Sequence, residues 1–336
     1  MTNRTAKTRH KPKSLEIVLP ATSANLGPAF DAAALALSMF LKIRASAADE
    51  FSIVAQGRDR EICAQIENNL ILTTYREVLQ EERKPLQPLA LRIENQIPIG
   101  KGCGSSAAAR LAGIALAVRF GKLLWTDNRI VYEAARREHH PDNAAACWMG
   151  GLAIAQVSAN GEMQMAHVKP KGKWPLLLAV PDESLSTESA RRVLPDQYSR
   201  TDAVGNIQNS MLLLTAFVQG RKDLLASALM DRIHQPYRAS LCPLLPALQS
   251  LSGTRGILGS ALSGAGPSVL MFLDPKVSAQ QAGKRVREHL RAQGLHPELI
   301  RTEISTRGAS ECNALSISGE EVNRRQHPGS SSAPGM

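Results

Sequence analysis

The stretch Ile99–Arg110, IGKGCGSSAAAR, decides how this chain is read. It places glycine at positions 100, 102 and 104, adds a serine pair, and runs into alanine. The preceding LALRIENQIPI (Leu89–Ile99) mostly alternates apolar positions, as a half-buried strand does. The following SAAARLAGIALAVRF stays apolar for about four turns, and Gly121 is a fitting terminator for that helix. The three glycines therefore sit where a strand turns into a helix. There the unpaired N–H groups of the first turn and the positive end of the helix dipole converge. Glycine admits positive φ and lets the backbone approach an anion closely. One of Ser105 and Ser106 is also the expected helix N-cap. The loop is not a Walker loop, because no Gly-Lys-Ser/Thr follows at the right spacing, nor a GxGxxG after a first strand. Alone, it points to phosphate, with a tight strand–helix turn as the simpler alternative.

Composition narrows the class. With 336 residues, 43% of them hydrophobic, the chain can bury one large or two medium cores. No apolar run reaches the roughly 18 residues of a membrane span. The opening MTNRTAKTRHKPK is basic and lacks the apolar core of a secretory signal. Cys63, Cys103, Cys147, Cys242 and Cys312 form no CxxC pair, which suits a reducing cytoplasm better than disulfides or zinc. Arg4, Lys7, Arg9, Lys11 and Lys13 supply five of the ten net positive charges, so the charge describes a solvated arm over residues 1–13. An aromatic content of 4% leaves little for base stacking, and no nucleic-acid or membrane partner is expected. The Ser/Gly/Pro-rich end, over 323–336, reads as a disordered tail.

Between these ends, strand and helix patterns alternate in two groups. The first covers 14–168. KPKGKWP (Lys169–Pro175) reads as a linker, and a second group covers 169–322. Strand pairs framing helices argue for an α+β chain of two domains in contact.

Two further segments give the loop a context. LPATSANLGPAFDAAALALSMFLKI (Leu19–Ile43) precedes it, and GILGSALSGAGPSVLMF (Gly256–Phe272) follows it. In order and spacing, the three resemble the signature segments of the GHMP small-molecule kinases, over about residues 15–320. Within that superfamily, PATSANLGPAFD, EHHPDNAAACWMGG (Glu138–Gly151), STESARRVLP (Ser186–Pro195) and HQPYRASLCP (His234–Pro243) are similar to homoserine kinase motifs. The resemblance implies a ribosomal protein S5 domain 2-like N-terminal domain that binds ATP and a ferredoxin-like C-terminal domain, with the site between them. It further implies Mg2+, phosphoryl transfer from ATP to L-homoserine for threonine synthesis, and a homodimer. The rivals are a GHMP kinase for another small hydroxylated acceptor and a non-catalytic nucleotide-binding regulator that uses the basic arm.

The resemblance also assigns residues. Pro98, Gly100, Lys101, Gly102, Cys103, Gly104, Ser105 and Ser106 are the expected ATP-binding set. Loop amides would meet the phosphates, and Lys101 would offer a point charge or be solvated. Ser106 and Glu138 are the expected Mg2+ ligands, since magnesium takes hard oxygens; Glu133 is the alternate. His139 stands where the family has glycine. Asn143 occupies the position of the general base in several relatives, and an amide accepts no proton, so transfer is expected without a strong base. Asp142 is the rival base, or else caps the turn after Pro141. For the acceptor, Asp31 would meet the ammonium, while Arg191 and Arg238 would fork onto the carboxylate. Asn25 and Thr187 would add neutral hydrogen bonds, and Gly264 would shape the pocket from the third motif. Without that context, Asp31 reads as the cap of a following apolar helix. Cys103 stands for the family's leucine, and Ala29 and Ala34 stand for glycines, which is expected to narrow the pocket.

Overall fold

The computed structural model describes residues 14–158, 161–254 and 256–312, so the expected basic arm (1–13) and tail (323–336) lie outside the described residues. The first half is a six-stranded sheet built on a long antiparallel hairpin, β1 (Ser14–Asn25) with β2 (Ala29–Ala47). The segment after Asp31 is thus a strand rather than a helix. Ala33–Leu37 is buried on both faces, which erases the alternation that would have marked it as β. The other edge of β2 pairs with β4 (Leu89–Asn95) and with β5 (Leu152–Val157). Beyond these lie β3 (Ser52–Gly57), parallel to β4, and β6 (Met163–Val168), antiparallel to β5.

Helices α1 (Arg60–Cys63) and α2 (Leu70–Glu81) connect β3 to β4. Helix α3 (Ser105–Gly121) runs through the middle, flanked by α2, by α4 (Asp127–Glu138) and by α5 (Asp142–Met149). Its apolar run is buried from Ala107 to Val118 except at two positions, Ala109 and Arg110. The left-handed residue that ends it is Lys122, with φ 55°, rather than Gly121.

Residues 169–174 lead to a second sheet with strand order β10-β7-β9-β8, all antiparallel. Its strands are β7 (Pro175–Val180), β8 (Ile257–Leu262), β9 (Val269–Leu273) and β10 (Glu298–Glu303). Between β7 and β8 come α6 (Thr187–Arg192), α7 (Arg200–Gln219), α8 (Leu225–Ala228), α9 (Gln235–Arg238) and α10 (Leu244–Gln249). Helix α11 (Ala279–Arg291) joins β9 to β10. A βαββαβ path with this strand order is the ferredoxin-like arrangement that was expected.

Both faces of the second sheet are buried. Leu176, Leu178, Leu270 and Phe272 face the core shared with the first sheet. Leu177, Ala179, Val269 and Met271 face α10 and α11. That is why LLLAV and VLMFL read as unbroken apolar runs. After β10 the chain crosses back: Ser305 N–H donates to Ala36, and α12 (Ala309–Cys312) packs on α5 and β1. The two sheets are thereby clamped around one cleft.

Candidate active site

The cleft has a volume of about 120 Å³ and is lined from both halves. The loop between β4 and α3 forms its floor, with Gly100, Gly102 and Gly104 all at positive φ (70°, 75° and 69°). Gly104 itself is the N-cap of α3, and no side-chain hydrogen bond caps the helix among the described residues, so neither Ser105 nor Ser106 fills the capping role. The first-turn amides are therefore left for an anion. Glycine is also sterically required here: a Cβ at Gly104 would lie 1.8 Å from Thr22 Oγ1, and one at Gly102 would lie 2.2 Å from the Ser263 carbonyl oxygen.

The three sequence motifs meet at this loop. Thr22 N–H donates to Cys103 O at 3.0 Å, and Ser263 Oγ donates to Gly102 O at 2.8 Å. Asn25 Nδ2 donates to Gly264 O at 2.8 Å, while its Oδ1 receives Asp31 N–H at 2.9 Å. Gly264 and Ala265 close the wall from the second sheet. Cys103 is turned into the protein interior, where burial pushes its thiol up to about 12. Pro98 and Lys101 are not among the residues lining the cleft. The Lys101 ammonium instead donates to the Asp182 carbonyl, tying the loop to the segment after β7.

Glu138 ends α4 and accepts from Ser106 Oγ at 2.6 Å and from Arg110 Nε at 2.5 Å. His139 takes φ 65°, the left-handed conformation a glycine would supply, so the departure from the family pattern leaves the carboxylate beside Ser106. Glu133 is buried in an arginine cluster, paired with Arg129, Arg136 and Arg137, away from the cleft. Among the described residues no group of three or more His, Cys, Asp or Glu side chains could hold a metal. A hydroxyl and a carboxylate meeting at an anion loop are nevertheless the hard oxygens that magnesium takes alongside phosphates.

At the start of α5, Asp142 Oδ1 accepts from Asn143 N–H at 2.6 Å and lies 2.8 Å from His140 Nδ1. Asn143 Oδ1 accepts the Thr22 hydroxyl at 2.6 Å. Its carbonyl end is thus committed to Thr22. Burial opposes charge on His140, but the Asp142 carboxylate, aided by Glu138 and Asp31, raises its pKa above the ordinary histidine value. Thr22, Arg110 and His140 were not singled out from the sequence, although each lies inside a quoted motif.

On the far wall, Arg191 Nη2 donates to both oxygens of Asp31 at 2.9 Å. These two residues, expected to meet opposite ends of an acceptor, here meet each other. Thr187 opens α6 beside them. Arg238 is almost fully buried, yet no carboxylate lies within ion-pair distance of it among the described residues. It donates through Nε to Ala190 O and through Nη1 to His234 Nδ1, and it lines the cleft. Burial, then the neighbouring Arg191 charge, lowers its pKa. Ala29 and Ala34 do not line the cleft, so their methyl groups do not narrow it. A second pocket, mainly apolar and lined by Leu41, Ile62, Ile71, Ile97 and Ile99, opens on the other side of the loop and shares Gly100, Ser105 and Ser106 with the cleft.

Comparison with known proteins shows the family. The family model for the GHMP kinase N-terminal domain matches residues 69–151, and that for the GHMP kinase C-terminal domain matches 213–292. A homoserine kinase from Solibacter usitatus is 41% identical, over 86% of this chain and 94% of its own length. One from Synechocystis sp. is 36% identical, over 88% of this chain and 98% of its own. The crystal structure of homoserine kinase from Cytophaga hutchinsonii shares the fold, with a TM-score of 0.74 at 22% identity, covering 90% of this chain and 99% of that one. The chain belongs to the homoserine kinase family of the GHMP kinases.

Proposed function

We propose that this chain transfers the terminal phosphoryl group of ATP to the hydroxyl of L-homoserine, giving O-phospho-L-homoserine and ADP. The observation that carries the acceptor is the buried Arg238, a cation facing the cleft with no carboxylate in ion-pair distance among the described residues, beside the Asp31–Arg191 pair. An amino acid's zwitterion supplies the missing carboxylate and an ammonium for Asp31. The phosphates occupy the glycine loop and the uncapped end of α3, and the adenine ring takes the adjoining apolar pocket. Ser106 and Glu138 would hold Mg2+, whose charge would offset that of the phosphates.

Asn143 orients the acceptor hydroxyl through its amide nitrogen, because its oxygen is committed to Thr22. Asp142 is engaged by His140 and a backbone amide. The hydroxyl proton therefore passes to a phosphate oxygen or water. A loose transition state demands little from a base, so positioning supplies most of the rate.

Residues 14–168 form the ATP-binding half and 169 onward the acceptor half, apart from residues 304–312, which pack on the first sheet. Cys63, Cys103, Cys147 and Cys242 are free thiols, which suits a cytoplasmic setting. No helix among the described residues is long and apolar enough to cross a membrane. A homodimer is the assembly we expect, to be checked by light scattering. The test of function is ADP release with Mg·ATP against L-homoserine, L-threonine, mevalonate and galactose. Turnover strongest with homoserine, and lost in Arg191→Ala and Arg238→Ala, supports the reading. Turnover with another acceptor discards it.

A further inference from the structure

His234 sits at the N-terminal edge of α9 with no solvent exposure, at the meeting point of the two halves. Its Nε2 is 2.8 Å from the carbonyl oxygen of Gly27, in the turn between β1 and β2. Its Nδ1 is 3.1 Å from Arg238 Nη1. These two contacts fix the proton. A guanidinium only donates, so Nδ1 must offer its lone pair; a carbonyl only accepts, so Nε2 must carry the hydrogen. Only the neutral Nε2–H tautomer satisfies both, and a proton on Nδ1 would set two donors against each other.

The surroundings hold the ring in this pose. Phe30 stacks on it at 5.1 Å between ring centroids, and the guanidinium carbons of Arg191 and Arg238 lie 5.6 Å and 5.3 Å from the Phe30 centroid. Asp231 accepts the backbone N–H groups of Ile233, His234 and Gln235, which fixes the chain around the histidine. Arg238 is then held by Ala190 O on Nε and by His234 on Nη1, which also makes a long contact of 3.5 Å to Gly264 O. No acceptor meets its Nη2 among the described residues.

We infer that His234 is a positioning residue for acceptor recognition: it holds Nη1 of Arg238 so that the free guanidinium edge meets the carboxylate of the amino-acid acceptor. Through Gly27 it also ties that edge to the hairpin that carries Asn25 and Asp31. The inference rests on the homoserine reading above and deepens it. Pre-set orientation matters because a bidentate contact requires the planar fork to be aligned before the acceptor arrives.

The test compares L-homoserine with L-homoserine amide, which keeps the hydroxyl and ammonium and loses the negative charge. Steady-state kinetics are measured for the unaltered chain, His234→Ala and His234→Gln at saturating Mg·ATP. His234→Ala is expected to raise the homoserine KM about tenfold or more, leaving the ATP KM unchanged and lowering amide turnover far less. His234→Gln, which retains an acceptor and a donor, is expected to recover part of that loss. An equal loss for both acceptors, or a homoserine KM that neither variant moves, overturns the assignment. Should His234→Ala not fold, the two acceptors read against His234→Gln decide the matter. No homoserine turnover by the unaltered chain would sink the functional reading, and this assignment with it.

Discussion

Asp31, on the β1–β2 hairpin, and Arg191, on α6 of the other half, form an ion pair in which one guanidinium nitrogen donates to both carboxylate oxygens at 2.9 Å. Each side chain is about one-third exposed, at 32% and 36%. An acceptor bearing both charges can exchange this internal contact for two external ones, so the pair guards the cleft without blocking it.

Burial pushes the Asp31 carboxyl above its ordinary range, with Arg191 opposing the shift. A carboxyl raised in the fold favours its protonated form there, so its ionisation costs stability as pH rises through that range. Asp31→Asn is therefore expected to leave the thermal midpoint at pH 7 unchanged or raised. It should lower kcat/KM for homoserine by about 2–5 kcal/mol, on the order of 30- to 5000-fold. The ATP KM should not move. Steady-state kinetics with a melting curve on the same preparation checks both parts. A stability loss with an unchanged homoserine KM would reverse the assignment.

Glu138 provides the second prediction. Its carboxylate is held by Arg110 and faces the Ser106 hydroxyl. Glu138→Gln keeps the hydrogen bonds but loses a full charge, so the Mg2+ concentration for half-maximal rate should rise and kcat should fall by about 10²-fold. Glu133→Gln should leave the Mg2+ dependence alone and lower stability instead, because Arg129, Arg136 and Arg137 lose their shared partner. Mg2+ titrations of both variants separate the two carboxylates; equal Mg2+ curves would remove Glu138 from the metal site.

The floor of the cleft was the most legible part of the sequence. Alternating glycines before an apolar helix fit either an anion loop or a tight turn, the flanking motifs favour the first, and the structure gives all three glycines positive φ. The helix α4 was also plain, because its charged and apolar positions separate cleanly by face. The hairpin was not. In AFDAAALALSMF the central residues are buried on both sides, and a run without alternation carries no period to distinguish strand from helix. Nor could the motifs reveal that Asp31 and Arg191 would pair with each other. That contact joins residues 160 positions apart and depends on how the halves close. Thr22 and His140 were hidden differently: they lie within the motifs, but their work is to hold Asn143 and Asp142, and only distances show it.

The loop glycines yield a third prediction. Gly104→Ala would place a methyl group 1.8 Å from Thr22 Oγ1 at a φ of 69°. Left-handed backbone costs an ordinary residue about 1–3 kcal/mol, before the clash displaces Thr22 from Asn143. ATP affinity should fall, and kcat should fall further because the Asn143 amide loses its anchor. Gly104→Ala combined with Thr22→Ser keeps the hydroxyl and does not relieve the clash. With Thr22→Ala it removes the closest clash and should recover part of the stability, the left-handed strain remaining, but not kcat. Melting curves and single-turnover rates on the three variants test the order.

His140 gives the last prediction, in pH. Its pKa in the fold is raised above the ordinary 6.5, against burial, by the Asp142 carboxylate 2.8 Å away. A histidine raised in this way binds its proton more tightly folded than unfolded. Its stabilising contribution is then fully present below pH 6.5 and is lost as pH climbs through the folded pKa. His140→Asn retains a polar contact to Asp142 but carries no charge. The gap in thermal midpoint between the unaltered chain and this variant should be widest near pH 6 and should close on going to alkaline pH. Melting curves across that range decide it. A gap that is constant with pH would mean that the contact is held as a neutral hydrogen bond, and a gap that widens upward would reverse the sign of the shift.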